Sequence, residues 1–194
     1  MAINKIALMT GNGRRPDGLV IGSLIAISFG TVFVMVNSGG LPEPWPLVIR
    51  AAGALIALGL LVALFRTVPG VQPTPARGGF QDRRYWLIVA LEVVALFGGL
   101  AVINEVLAAP EVSVAWIAVV VGTHFFALAW AWRMPMYHWL GAVMTGLGVA
   151  GLVAYAAGAS AATVALIAGV GSGFALFGSV VAGLRYARRA PAAV

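Results

Sequence analysis

Six stretches of about 20 predominantly apolar residues recur along this chain, and no other feature constrains its fold as strongly. A helix of about 20 residues, rising 1.5 Å per residue, crosses the ~30 Å hydrocarbon layer of a bilayer. The predicted spans are approximately 18–36, 46–65, 85–105, 112–132, 135–155 and 161–184. The sequence therefore predicts an all-α bundle of six transmembrane helices, in a single transmembrane domain that covers residues 1–194.

The composition excludes most other classes of protein. Apolar residues make up 61% of the 194 residues and charged residues only 9%, whereas a soluble domain carries roughly a quarter charged residues. Cysteine is absent, which removes disulfides, thiolate metal sites and cysteine nucleophiles. The only two histidines, His124 and His138, differ in predicted depth by roughly 10 Å. We therefore expect no catalytic residues, no metal site and no cofactor.

The basic residues indicate how the chain is oriented. With a cytoplasmic N-terminus, every basic residue except Arg50 falls in the cytoplasmic segments, which include a loop at 66–84 and the C-terminus. Cytoplasmic segments retain Lys and Arg during insertion. The net charge of +6 therefore indicates contact with anionic lipid headgroups, not with nucleic acid. The excess of Arg over Lys and the abundance of Ala and Gly favour a multi-pass protein of a bacterial plasma membrane.

The two halves of the chain resemble each other at an offset of 92 residues. Leu24–Phe33 aligns with Trp116–Phe125 with five identities, and the second predicted span then falls on the fifth. Halves of three spans each would have opposite orientations, as in the inverted repeats of many transporters. A 3+3 inverted repeat is one interpretation; chance similarity between apolar segments is the other.

Two ionisable residues fall near the middle of predicted spans. A charge at the bilayer centre costs at least ~2.5 kcal/mol on insertion scales. Glu92 is about 4.5 Å and His124 about 3 Å from the centres of consecutive antiparallel spans, both toward the cytoplasm. Each shares its helical face with small residues that allow close helix packing. We therefore expect the two side chains to lie level with each other and to face the inside of the bundle.

Such a pair has two interpretations. It can relay protons or bind a cation, because an imidazole exchanges its proton near neutral pH. Alternatively, neutral Glu92 and His124 can hydrogen-bond each other and hold the helices together. Hydroxyl groups close to mid-membrane would extend a proton or solute site around the pair, or would bond only to their own helices. These hydroxyl groups belong to Ser28, Thr123, Thr145 and Ser172.

A second polar group is predicted near the outer surface. Arg50 lies about 9 Å outward of the centre of its span. Its expected partners are Asn104 and Glu105 at the outer end of the third span, or Glu43 and Glu111 in the outer loops. The cluster would either attract anions or lock the helices together.

Glycine spacing predicts close helix packing in the last two spans. The residues singled out are Gly169, Gly173, Gly178 and Gly148. Small residues spaced four apart let helix backbones approach closely. These stripes predict contacts within the chain, or an interface with a second copy or another membrane subunit.

Three functions fit these features. The first is transport or permeation of a small solute or proton through the mid-membrane polar site. The second is a non-catalytic subunit or assembly factor of a larger membrane complex. A membrane enzyme acting on lipid comes third, because the cytoplasmic loops hold few acids or bases beyond Asp82 and His138.

Overall fold

The computed structural model describes residues 18–67 and 83–189, and within these ranges all regular secondary structure is helical. All six helices are long and apolar enough to cross a membrane. They are α1 (Gly18–Asn37), α2 (Trp45–Thr67), α3 (Arg83–Ala101), α4 (Ser113–Trp132), α5 (Pro135–Ala156) and α6 (Ala161–Arg189). The prediction of an all-α protein with six membrane-spanning helices is therefore confirmed. Most of the predicted loop, residues 68–82, and both chain termini lie outside the described residues.

Backbone chemistry explains why apolar runs become helices here. No water is available in the hydrocarbon layer, so each peptide group must find its hydrogen-bond partner within its own segment. The helices end where the sequence no longer permits this. After α4, Arg133 adopts the left-handed conformation with φ 53°, and its N–H bonds to the Ala129 carbonyl. Pro135 then occupies the first turn of α5, a position that needs no N–H donor.

The charged residues lie at the two ends of the bundle. The end that we call the basic end carries Arg66, Arg83, Arg84, Arg133, Arg185, Arg188 and Arg189. The opposite end carries Glu43, Glu105 and Glu111. Antiparallel neighbours bring all these arginines to one side, as the charge count in the sequence predicts.

Helices α4 and α5 form the closest pair, because glycines bring their backbones together. A methyl group added at Gly148 would lie 2.7 Å from the Ala115 carbonyl oxygen and 2.7 Å from the Val119 nitrogen. One added at Gly122 would lie 2.5 Å from the Thr145 nitrogen. Because the two helices meet backbone to backbone, their relative position is fixed by sterics.

Helix α6 lies at the centre of the bundle and contains an irregular turn. It packs against α1, α2, α4 and α5, and 50% of the residues in its most apolar stretch are buried. Residues Ala165–Val170 are wound as a π-helix, a local widening that often occurs at functional sites. The fully buried residues in and next to this π-helix are Val164, Ala168 and Ser172.

Helix α3 lies at the periphery. None of its residues is buried, and within the described ranges α4 is the only helix with which it makes an extended contact. The chain continues from α3 into a second π-helix, Val102–Val106, in which Ile103 is buried. One helix is therefore attached to the bundle along a single seam, which we call the α3/α4 seam.

Candidate functional site

Glu92 and His124 meet across the α3/α4 seam. His124 Nδ1 lies 2.9 Å from Glu92 Oε2, close enough for an ion pair or the transfer of a proton. The two side chains are not oriented for a hydrogen bond between these atoms. The His124 side chain is 12% exposed and the Glu92 side chain 20%. Each side chain is therefore mostly covered, but neither is fully enclosed by the bundle.

The pair lies well within the apolar length of both helices. Glu92 is nine residues from the start of α3 and His124 is eight residues from the end of α4. At the helical rise, both lie about 12–14 Å from the basic end. The groups lie level with each other, as expected from the sequence. Their depth means that neither can extend to the aqueous surface without moving its helix.

Aromatic side chains form the contacts in the half of the α3/α4 seam that lies nearer the basic end. The ring of Tyr85 stacks on Trp132 with centroids 5.7 Å apart, and Trp132 also contacts Tyr137. The guanidinium of Arg84 lies 5.8 Å from the centre of the Trp130 ring, a cation–π distance. Tyr85 precedes Glu92 by seven residues and therefore lies on the same face of α3. A phenol therefore lies between the pair and the basic end.

The other half of the seam is closed by one indole. Trp116 on α4 donates its Nε1–H to the Ala95 carbonyl at 3.2 Å, and its ring lies directly against Gly99. Beyond the indole lies an apolar pocket of about 390 Å³, lined by Gly98, Gly99, Val102, Ile103, Leu107, Val112, Trp116 and Leu152. The α3/α4 seam is therefore aromatic and polar between Glu92 and the basic end, and apolar between Glu92 and the opposite end.

The contact at Gly99 gives a test of the seam. We expect Gly99→Ala to weaken the docking of α3 by roughly 1–3 kcal/mol, because the new methyl group would occupy the position of the Trp116 ring. Since the chain has no cysteine, spin labels can be placed at Leu91 and Val149, which are exposed on α3 and α5. The distance distribution between the labels should become longer and broader.

Gly98→Ala is the matched control, since a methyl group there would meet no atom within 4 Å. The distance distribution of this variant should match that of the labelled protein in which Gly98 and Gly99 are both unchanged. If Gly99→Ala behaved like Gly98→Ala, the close contact between Trp116 and α3 would be disproved.

The four hydroxyl residues predicted around the pair are not gathered there. Ser28 and Thr123 are exposed on the surface of the bundle. Thr123 Oγ1 donates to the Val120 carbonyl at 2.8 Å, in its own helix. Thr145 and Ser172 face inward instead, and their buried hydroxyl groups have no hydrogen-bond partner among the described residues. The Thr145 hydroxyl lies against Gly122 in the α4–α5 contact.

The residues of the predicted outer cluster are also separate. Arg50 donates from Nε to the Met35 carbonyl and to Ser38 Oγ, both at 3.1 Å. Asn104 donates to the Leu100 carbonyl of its own helix at 2.7 Å. The arginine therefore satisfies one free carbonyl group at the end of α1, that of Met35, and forms no ion pair with Glu105 within the described ranges.

Three of the four singled-out glycines lie at close contacts. Besides Gly148, Gly169 lies against the side chain of Asn37, and a methyl group at Gly173 would lie 2.8 Å from the Gly30 carbonyl oxygen. Gly178 differs, because a methyl group there would meet no atom within 4 Å. Its predicted packing role has no counterpart in the part of the chain that the structure describes.

Two residues of the seam were not foreseen as parts of the site. Trp116 and Tyr85 were not among the site residues predicted from the sequence, yet both lie between helices. The pair Gly98-Gly99 at the height of a tryptophan on the next helix is the pattern that points to such packing. For Tyr85, the pattern is its seven-residue spacing from Glu92.

No group of His, Cys, Asp and Glu side chains that could hold a metal ion is found in the described part of the chain. Comparisons with models of protein families, with curated proteins and with solved structures gave no match.

Proposed function

We propose that this protein moves protons, alone or together with a small solute, across a membrane through the Glu92–His124 pair. The observation that carries the proposal is the 2.9 Å separation of the carboxylate and imidazole at matching depth. Ionisable residues within spans are costly and typically serve transport or proton relay. A carboxylic acid and an imidazole in contact can pass one proton between them with little movement.

The surroundings of the pair support directional access. Tyr85 and the aromatic group around Trp132 provide a polar and polarisable route from the basic end. Trp116 and the apolar pocket close the seam toward the opposite end. In the proposed cycle, the pair takes up a proton from the basic end, and displacement of Trp116 from Gly99 exposes it to the other side.

Thr145 and Ser172 are the proposed interior contacts of a solute. Their unpaired buried hydroxyl groups retain the hydrogen-bonding capacity that a polar solute needs. The adjoining π-helix in α6 supports this assignment, since such turns leave backbone carbonyl groups free to bind. Ser28 and Thr123 are exposed on the bundle surface and are not included.

The proposed setting is a bacterial plasma membrane, with the basic end and both termini in the cytoplasm. All arginines of the described helices except Arg50 lie at the basic end, and three of the four described glutamates lie at the opposite end. This separation matches the bias that orients membrane proteins during insertion.

We also propose that the fold is a 3+3 inverted repeat. Helix pairs α1/α2 and α4/α5 are corresponding neighbours, and the third helix of each half packs against the first helix of the other half, as α3 on α4 and α6 on α1. A two-fold axis in the membrane plane would relate these contacts. The two halves differ in that α6 is half buried and α3 is peripheral.

The second candidate function is a subunit of a larger membrane complex. The specific observation in its favour is α3, whose residues are all at least partly exposed and which carries an acid in mid-membrane. A partner helix against α3 would enclose the pair completely. In this function Glu92 and His124 hold α3 in place for the partner and exchange no protons.

Proton flux into liposomes separates the two functions. The purified protein is reconstituted with a pH-sensitive dye inside, and a potassium diffusion potential drives protons inward. We expect Glu92→Gln and His124→Gln each to reduce the rate about tenfold or more, because each removes a group that exchanges the proton.

Glu111→Gln is the matched control, because Glu111 is an exposed acid in the turn before α4. Its flux should equal that of the original protein. If the original protein passed protons no faster than empty liposomes, or if both variants kept its rate, the transport function would be rejected in favour of the subunit function.

A further inference from the structure

The turn between α4 and α5 forms a shallow pocket at the basic end. The pocket has a volume of about 320 Å³ and is lined by Ala129, Trp130, Arg133, Pro135 and His138. Only Arg133 and Met134 separate the two helices. The pocket lies nearer the basic end than the Glu92–His124 pair, because Trp130 is six and Arg133 nine residues beyond His124, about 9 and 13.5 Å by helical rise.

The pocket carries positive charge that no carboxylate among the described residues neutralises. Among the described residues, neither Arg133 nor His138 takes part in an ion pair or a side-chain hydrogen bond. The described carboxylates lie elsewhere: Glu92 contacts His124, and the others are at the opposite end of the bundle. A guanidinium in this situation attracts anions, above all those with paired oxygen atoms.

The backbone holds Arg133 in a fixed position. The residue adopts the left-handed conformation at the end of α4, with φ 53° and ψ 43°. Its N–H and that of Met134 both bond to the Ala129 carbonyl, at the end of a closed turn. The base of the arginine is therefore placed before any ligand binds, which reduces the entropy lost on binding.

The rim of the pocket is aromatic and faces the membrane. Trp130 is 72% exposed, and the guanidinium of Arg84 lies 5.8 Å from its ring centre. Indole rings favour the headgroup level of a bilayer, where one edge is apolar and the other is wet. The pocket thus combines a cationic floor with an apolar rim.

We infer that this pocket binds the phosphate group of an anionic membrane lipid. Arg133 and His138 hold the phosphate oxygens, and Trp130 contacts the apolar part of the same molecule. Phosphate is the shared chemistry of lipid headgroups and soluble phosphate compounds. The exposed indole of Trp130 at the rim favours the lipid, because a soluble anion gains nothing from an apolar surface. The attraction is then specific to this pocket and not a property of the whole basic end.

Thermal unfolding of the purified protein in a neutral detergent tests this inference. Dioctanoyl phosphatidylglycerol is titrated against the protein, and the shift of the unfolding midpoint gives the dissociation constant. We expect Arg133→Asn and His138→Gln each to raise that constant roughly tenfold, since each removes a charged or polar contact with phosphate. Asparagine suits the left-handed conformation at position 133, so the turn should survive, as unfolding without lipid will show.

Arg185→Gln is the matched control, because it removes an exposed arginine from α6 at the same end of the bundle. It should change the dissociation constant by less than about twofold. Dioctanoyl phosphatidylcholine and inorganic phosphate, each added alone, should give no shift. The inference is overturned if Arg185→Gln weakens binding as much as Arg133→Asn, if phosphatidylcholine binds equally well, or if inorganic phosphate alone reproduces the shift.

Discussion

Gly148→Ala should destabilise the protein by roughly 1–3 kcal/mol or more. The methyl group would lie 2.7 Å from two backbone atoms of α4, the Ala115 oxygen and the Val119 nitrogen. Backbone atoms cannot rotate away as the end of a side chain can, so α4 and α5 must move apart. Unfolding in mixed micelles with increasing dodecyl sulfate measures the change.

Gly146→Ala, two residues away on the same helix, provides the comparison. Gly146 is exposed, and a methyl group there would meet no atom within 4 Å. We expect a change within about 0.5 kcal/mol, as for a surface substitution. Equal unfolding curves for the two variants would contradict the backbone contact between α4 and α5.

A double-mutant cycle on the acid and the imidazole should separate a proton site from a structural contact. We expect Glu92→Leu and His124→Leu to be coupled by about 1–2 kcal/mol, with the double variant at least as stable as either single variant. A single substitution leaves one polar group without its partner in apolar surroundings, whereas the double substitution leaves none. Polar contacts between membrane helices average about 0.6 kcal/mol and reach about 1.7 kcal/mol.

Proton flux completes this cycle. The double variant should fold and yet pass protons at the rate of empty liposomes. A stable double variant with unchanged flux would exclude the pair from any transport route. Additive single effects would instead show that the 2.9 Å contact contributes nothing to stability.

The positions along the membrane normal could be predicted from the sequence. Hydropathy sets where each helix enters the lipid, and the fixed rise per residue then sets the depth of each side chain. For this reason Glu92 and His124 were expected at matching heights and lie in contact. The arginines were likewise expected at one end of the bundle.

The arrangement around each helix axis could not be predicted in the same way. In lipid, the side of a helix that faces its neighbours is as apolar as the side that faces the acyl chains, so the sequence carries little amphipathic pattern. Ser28 and Ser172 are equally polar, yet one is exposed and the other is fully buried. Trp116 was not predicted to contact α3, and its ring fills the space beside Gly99.

Partner choice at the helix ends was the other unpredictable element. Arg50 was expected to meet a carboxylate, but the carbonyl group of Met35 and the hydroxyl group of Ser38 are nearer. A charge count along the sequence cannot include backbone acceptors at the end of a helix. In this position the arginine, which belongs to α2, binds the end of α1 and links the two helices.

Because α3 is held by one neighbour, its attachment and the protonation of Glu92 and His124 are thermodynamically linked. Any movement that parts α3 from α4 also parts the carboxylate from the imidazole. Linkage is reciprocal: if docking of the helix changes the proton affinity of the pair, binding of a proton changes the free energy of docking by the same amount. Whatever presses α3 onto α4 or draws it away, lipid or another protein, therefore also sets the separation of the two ionisable side chains.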